Sequence, residues 1–147
     1  MNDMDWLLAK FFKKTEAWGD PSQMKYSIIW LMDNIRSDLP NGCWIKVHSG
    51  FRNLKNDNDK GQHPKGTAID FHIVGCSVLE AEAHIMKKLY NTGMLEYCGI
   101  GIYPQWVNPG FHLDTRGEKA SWAKLNGEYV AYKLGLEYAR KQLNGGK

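Results

Sequence analysis

Four side chains carry the chemistry this sequence can be expected to do: His63, Asp70, His112 and Asp114. Side chains alternate across an extended strand, so Asp70 and His72 in Thr67-Ala68-Ile69-Asp70-Phe71-His72-Ile73-Val74 share one face. The same alternation places His112 and Asp114 together in Gly110-Phe111-His112-Leu113-Asp114-Thr115. Two such strands side by side each present a carboxylate and an imidazole. With His63 folded over them from the preceding loop, His63, Asp70 and His112 offer two imidazole nitrogens and one carboxylate oxygen. That is the three-ligand set of a catalytic zinc with the fourth position left to water, and it suits iron and other divalent ions as well. Either spacing alone arises readily by accident among 5 His and 16 acidic residues. His84, near Lys87 and Lys88 on a helical pattern, reads as solvated.

These residues need strands to hold them, and the strand signals are local. Cys43-Trp44-Ile45-Lys46-Val47-His48-Ser49 is rich in aromatic and β-branched residues and runs into Gly50. The segment 67–74 is a second strand. Gly99-Ile100-Gly101-Ile102-Tyr103 and 110–115 are two more, joined by a connection of hairpin length. The polar stretch from Asn53 to Gln62 reads as a long loop able to shape a site. Trp6, Leu7, Ala9, Lys10 and Phe11 lead towards Trp18-Gly19 as a short amphipathic helix closed by glycine. Asp20, expected to accept from the Gln23 N–H, and Pro21 open a helix over 21–38 that stops at Leu39-Pro40. Ser77 and Glu80 form a capping box for a helix over 78–92, ended by Gly93. A terminal helix is expected over 127–143. The order favours a single α+β domain over 1–147 with a small, largely antiparallel sheet packed with helices.

The chain has 147 residues, 43% hydrophobic and 24% charged, a size that suits one core. The balance of 19 basic against 16 acidic residues gives +3. That charge is too mild and scattered for the basic stripe of a nucleic-acid binder, and Lys13-Lys14 and Lys87-Lys88 read as solvated faces. No apolar run approaches the roughly 20 residues of a membrane span. Cys43, Cys76 and Cys98 include no CxxC pair, which excludes a four-cysteine zinc site, and they read as reduced structural thiols. Asp3 and Asp5 stand where a secretory signal needs positive charge, so the expectation is a chain made in the cytoplasm without one.

Four strings occur in order: Val47-His48-Ser49-Gly50-Phe51-Arg52, Gly61-Gln62-His63-Pro64-Lys65-Gly66-Thr67-Ala68-Ile69-Asp70, Gly99-Ile100-Gly101-Ile102-Tyr103-Pro104 and Gly110-Phe111-His112-Leu113-Asp114-Thr115-Arg116-Gly117. Together they resemble the M15 family of zinc D-Ala-D-Ala carboxypeptidases and related peptidoglycan peptidases, especially its short bacterial and phage members. The resemblance implies a Hedgehog-type fold of helices on an antiparallel sheet and one zinc ion per chain. It matches His63 and Asp70 to the first ligand pair, His112 to the third ligand, and Arg52 to the arginine facing the substrate. A guanidinium there can hydrogen-bond a peptide carboxylate or an oxyanion at any working pH. The other reading of Arg52 is a surface partner of Asp57 or Asp59.

The chain departs from the family at two places. Gly61 replaces a serine two residues before the first ligand. Pro109 and Gly110 occupy the positions where relatives carry the general base, and neither can move a proton. Asp114 is then the candidate, either as the base or as the acceptor that orients a ligand imidazole; His72 is a weaker alternative. Tyr103, Trp106 and Trp122 are candidates for the groove or the core. The expected function is hydrolysis of peptide bonds in peptidoglycan stems or cross-links, as carboxypeptidase or endopeptidase. Without a signal peptide, the chain resembles an endolysin-like phage or prophage protein released to the wall, monomeric, with no nucleic-acid partner. The alternative is a non-catalytic module that binds zinc or peptidoglycan and has lost the base.

Overall fold

In β1 (Trp44–Ser49), Ile45 and Val47 are buried while Trp44, Lys46 and His48 face outward, the alternation of a strand with one face on a core. The computed structural model describes residues 1–53 and 61–145. Its sheet has six strands: β1, β2 (Ala68–Val74), β3 (Gly99–Tyr103), β4 (Gly110–Asp114), β5 (Ala120–Leu125) and β6 (Glu128–Val130), in the order β1-β2-β4-β3-β5-β6. All neighbours are antiparallel except β3 and β5. The expected α+β class with a largely antiparallel sheet is what the chain adopts.

Four α-helices among the described residues accompany the sheet: α1 (Asp3–Leu8), α2 (Tyr26–Ser37), α3 (Val78–Asn91) and α4 (Tyr132–Gly145). Ile28, Ile29, Leu31, Met32 and Ile35 recur at helical spacing in α2, and Ala81, Ile85 and Leu89 do so in α3. They join Ile69, Phe71, Ile73, Ile100, Ile102, Phe111 and Leu113 of the strands in one buried cluster. Gly135 lets helix α4 pack close on the sheet, because a Cβ there would lie 2.5 Å from the Ala123 side chain. Ser77 and Glu80 form the expected capping box, and Gly93, at φ +73°, follows the end of α3.

Three expected elements are corrected. Helix α1 ends at Leu8 instead of continuing towards Trp18, because the Lys10 and Phe11 N–H groups donate to the buried Asp33 carboxylate at 2.9 and 3.0 Å, not to a preceding turn. The helix expected over 21–38 is split. Asp20 accepts from the Ser22 N–H instead of Gln23, Pro21–Gln23 makes one 3₁₀ turn, and Lys25 N–H donates to Gly66 O at 2.9 Å before α2 begins. The terminal helix starts at Tyr132, not Gly127. Asn126 and Gly127, at φ +52° and +80°, instead turn the β5–β6 hairpin, a type of turn that favours this dipeptide. Most of the loop expected over 53–62 lies outside the described residues.

The outer face of the sheet is where polar residues collect. Asp70 is the register partner of His112, His112 of Gly101, and Gly101 of Trp122, so these four form one row across β2, β4, β3 and β5.

Candidate metal centre

His63 opens a 3₁₀ turn, His63–Lys65, closed by Gly66 in the left-handed conformation at φ +71°. A Cβ on Gly66 would lie 1.9 Å from Gln23 O, so this turn docks on the 21–24 segment only as glycine. That segment also braces Gly50, where a Cβ would lie 2.8 Å from Met24 Sδ and 2.9 Å from Trp18 O. Gly50 matters because its carbonyl is 2.6 Å from His63 Nδ1. A carbonyl only accepts, so Nδ1 donates to it and Nε2 is the nitrogen left to face the cluster.

His63 Nε2 faces Asp70 Oδ1 at 3.2 Å, and His112 Nδ1 faces the same oxygen at 3.0 Å. The remaining ring nitrogen of His112, Nε2, is 2.6 Å from Asp114 Oδ2. His63, Asp70 and His112 thus each aim one ligand atom at a common point, with these atoms all within 4.8 Å of one another. His63 and His112 are buried and Asp70 is half-buried, a donor set that can hold a metal ion. The outer nitrogen of each imidazole is tied to an acceptor, the arrangement that fixes ring orientation and tautomer in metal sites. The three residues expected as ligands are therefore brought together.

Asp114 is fully buried and its acceptor positions are occupied. Oδ1 accepts from the Gly99 N–H, the Arg116 N–H and Arg116 Nε, and Oδ2 accepts from His112 and from Arg116 Nη2 at 2.7 Å. Burial works against its charge, but the Arg116 and His112 hydrogen bonds prevail and hold its carboxyl down at about 2. Burial likewise opposes the charge of Asp70, whose bonds from His112 and His63 keep it well below the usual carboxylate range. Burial pushes His112 down, yet its bonds to Asp114 and Asp70 leave it above the ordinary 6.5. These contacts are those of an acceptor that orients His112.

Arg52 donates from Nη1 to Asp70 Oδ2 at 3.0 Å, leaving the guanidinium partly exposed beside the cluster. Asp57 and Asp59, the alternative partners, lie outside the described residues. A cavity of about 310 Å³ opens over the site, lined by Arg52, Gln62, His63, Tyr103, His112 and Trp122 among others. Tyr103 Oη accepts from Trp122 Nε1 at 2.9 Å, and burial pushes its hydroxyl up to about 12, so it remains a phenol with a hydrogen to donate. Trp106 stacks on Tyr103 with centroids 4.4 Å apart and lines the neighbouring cavity instead. His72 is turned away from the cluster onto His48, with Nδ1 2.5 Å from His48 Nε2.

Arg116 and the glycines of β3 have roles that strand periodicity did not reveal. A Cβ on Gly99 would lie 2.5 Å from Arg116 Nε and 2.7 Å from Asp114 Oδ2, and one on Gly101 would lie 2.5 Å from Trp122 Nε1. The alternating glycines make room for the second layer of the site. Gly110 is bare for a similar reason: a Cβ there would lie 2.2 Å from Phe71 O, so this backbone admits no basic side chain at that position. The helices contain no segment long and apolar enough to cross a membrane among the described residues.

No family model matches the chain, and no curated protein or solved structure matches it either.

Proposed function

We propose that the chain is a zinc-dependent peptidase of the M15 type that hydrolyses peptide bonds in peptidoglycan stems or cross-links. The observation that carries this reading is the double orientation of the ligand imidazoles: Gly50 O holds His63 and Asp114 holds His112, so that Nε2 of one and Nδ1 of the other converge on Asp70 Oδ1. Two imidazoles, one carboxylate and an adjacent cavity suit zinc with an exchangeable fourth position. When bound, zinc supplies Lewis acidity that activates water near neutral pH. His63, Asp70 and His112 would hold it.

The chain's own residues then do the positioning. Asp114, anchored by Arg116, keeps His112 in the tautomer with a free Nδ1 and raises its basicity as a ligand. Arg52 keeps a fixed positive charge at the cavity edge, where it can pair with a substrate carboxylate or with negative charge developing on the scissile carbonyl. Tyr103 can donate one hydrogen bond into the same cavity. A phage or prophage wall-lytic role follows from the motif resemblance and belongs to this proposal.

A second reading is a module that holds metal and wall peptide without cleaving it. The full occupancy of Asp114, together with a steric bar to any side chain at Gly110, favours it: among the described residues no further carboxylate touches the cluster. Mass spectrometry of fragments released from purified peptidoglycan separates the two. Zinc-loaded protein should release new peptides that are absent from a chelated sample and from His63→Ala, and the masses identify the bond. Zinc bound at one per chain with no release would overturn the peptidase reading in favour of the binding module.

A further inference from the structure

Cys43 immediately precedes β1, and Cys76 follows β2 after the turn at Gly75. These strands pair antiparallel with Trp44 opposite Val74, so both cysteines stand at the same end of the pair. Gly75 has φ +90°, and a Cβ on it would lie 2.5 Å from Gly42 O. The two backbones are in contact there, and the left-handed residue bends Cys76 back beside Cys43. Their sulfurs are 2.8 Å apart, so bonding at about 2.05 Å needs only a small approach. Cys43 is buried and Cys76 half-buried, so Cys76 is the more exposed residue of the pair. Cys98, buried before β3, makes no sulfur–sulfur contact among the described residues.

We propose that Cys43 and Cys76 are a disulfide-forming pair that ties the start of β1 to the end of β2 when the chain meets an oxidising environment. The oxidant is a low-molecular-weight disulfide. Cys76 gives its proton to solvent and attacks one sulfur of the oxidant, which releases one small thiolate. Cys43 then loses its proton and attacks Cys76 Sγ, forming the internal bond and releasing the second thiolate. Two chain thiols lose two electrons and two protons in total, and the oxidant becomes two thiols. Burial, and then the neighbouring Cys43, push the Cys76 thiol up to about 11, so the exchange is slow at neutral pH and quickens as pH rises.

The link would brace the site from a distance. Strand β1 runs on to Gly50, whose carbonyl orients His63, and β2 carries Asp70. A cross-link between residues 33 apart removes freedom mainly from the unfolded chain, so the oxidised form should melt at a higher temperature.

The test uses the full chain with chelator present, incubated with oxidised glutathione at mildly alkaline pH, then denatured for thiol counting and peptide mapping. The expected result is one remaining thiol, a mass lower by two hydrogens, a Cys43–Cys76 peptide, and a raised Tm that reductant reverses. Cys98→Ser should form the same link, and Cys76→Ser should form none. Retention of all three thiols, a lasting glutathione adduct on Cys76, or a link to Cys98 would overturn the proposal. None of these readouts depends on metal binding or hydrolysis, so the outcome is independent of the peptidase reading.

Discussion

His112 Nε2 lies 2.6 Å from Asp114 Oδ2, while Asp114 is itself gripped by the guanidinium of Arg116. A carboxylate with both oxygens engaged is better placed to orient an imidazole than to receive a proton from water. Asp114→Asn distinguishes these roles. As an orienting group, its loss should weaken zinc binding about 10- to 100-fold, with saturating zinc restoring much of the turnover. As the general base, its loss should leave zinc affinity intact and abolish turnover. The expected outcome is the first, read by competitive chelator titration beside peptide release.

Gly99 lies beneath that pair. A methyl group there would fall 2.5 Å from Arg116 Nε, which is half-buried, and 2.7 Å from the buried Asp114 Oδ2. Gly99→Ala should therefore push Arg116 off Asp114 and cost about 1–3 kcal/mol of stability, the usual penalty of overpacking. Zinc affinity should fall with it, because His112 loses a fixed acceptor. Chemical denaturation and metal titration check both effects; wild-type values in the two measurements would refute the role given to Gly99.

Metal removal should reverse the pH dependence of stability. In the metal-free chain His112 sits above 6.5, held as an imidazolium between Asp70 and Asp114. A raised pKa contributes stability that is fully present below the unfolded value of 6.5 and is lost as pH rises through the folded value. Metal binding needs the deprotonated ring, so affinity strengthens over the same range. The Asp114 carboxylate, at about 2, titrates far below it. Melting scans from pH ~6 to ~9 should show the chelated chain losing stability as the zinc-bound increment grows. A flat Tm in the chelated chain would sink this assignment.

The parts of this site that could be read in advance were those governed by strand periodicity. Alternation alone placed Asp70 beside His72, and His112 beside Asp114, and the observed register of Asp70 with His112 completes the cluster. The remaining features depend on contacts distant in sequence. Asp33 stops α1 by taking the Lys10 and Phe11 N–H groups, and Gly66 O interrupts the second helix through Lys25, and neither is visible in a local window. Strand β6 is short, and both β5 and β6 are largely half-exposed with a weak period-2 pattern. Their one strong local signal is Asn126-Gly127, and the expected terminal helix begins at Gly127, inside it. Arg116 was legible as a charge two residues beyond Asp114 but not as its anchor, because that role requires the bare backbone of Gly99.

Arg52 gives the sharpest test of the proposed chemistry, because its charge and its geometry can be separated. Its Nη1 donates to Asp70 Oδ2 at 3.0 Å, while the imidazole nitrogens of His63 and His112 face Oδ1. Removing Arg52 should therefore leave zinc affinity largely intact while depriving the cavity of one of the two arginines that line it. Arg52→Ala should lower kcat/KM by about 10²–10³, the range for losing one donor to developing negative charge. Arg52→Lys keeps the charge but not the planar fork, and should recover part of that loss. If the guanidinium binds a substrate carboxylate in the ground state, the defect will lie in KM; if it meets charge that develops during attack, kcat will carry it. Wild-type kcat/KM in Arg52→Ala would remove Arg52 from the mechanism and leave it as a brace for Asp70.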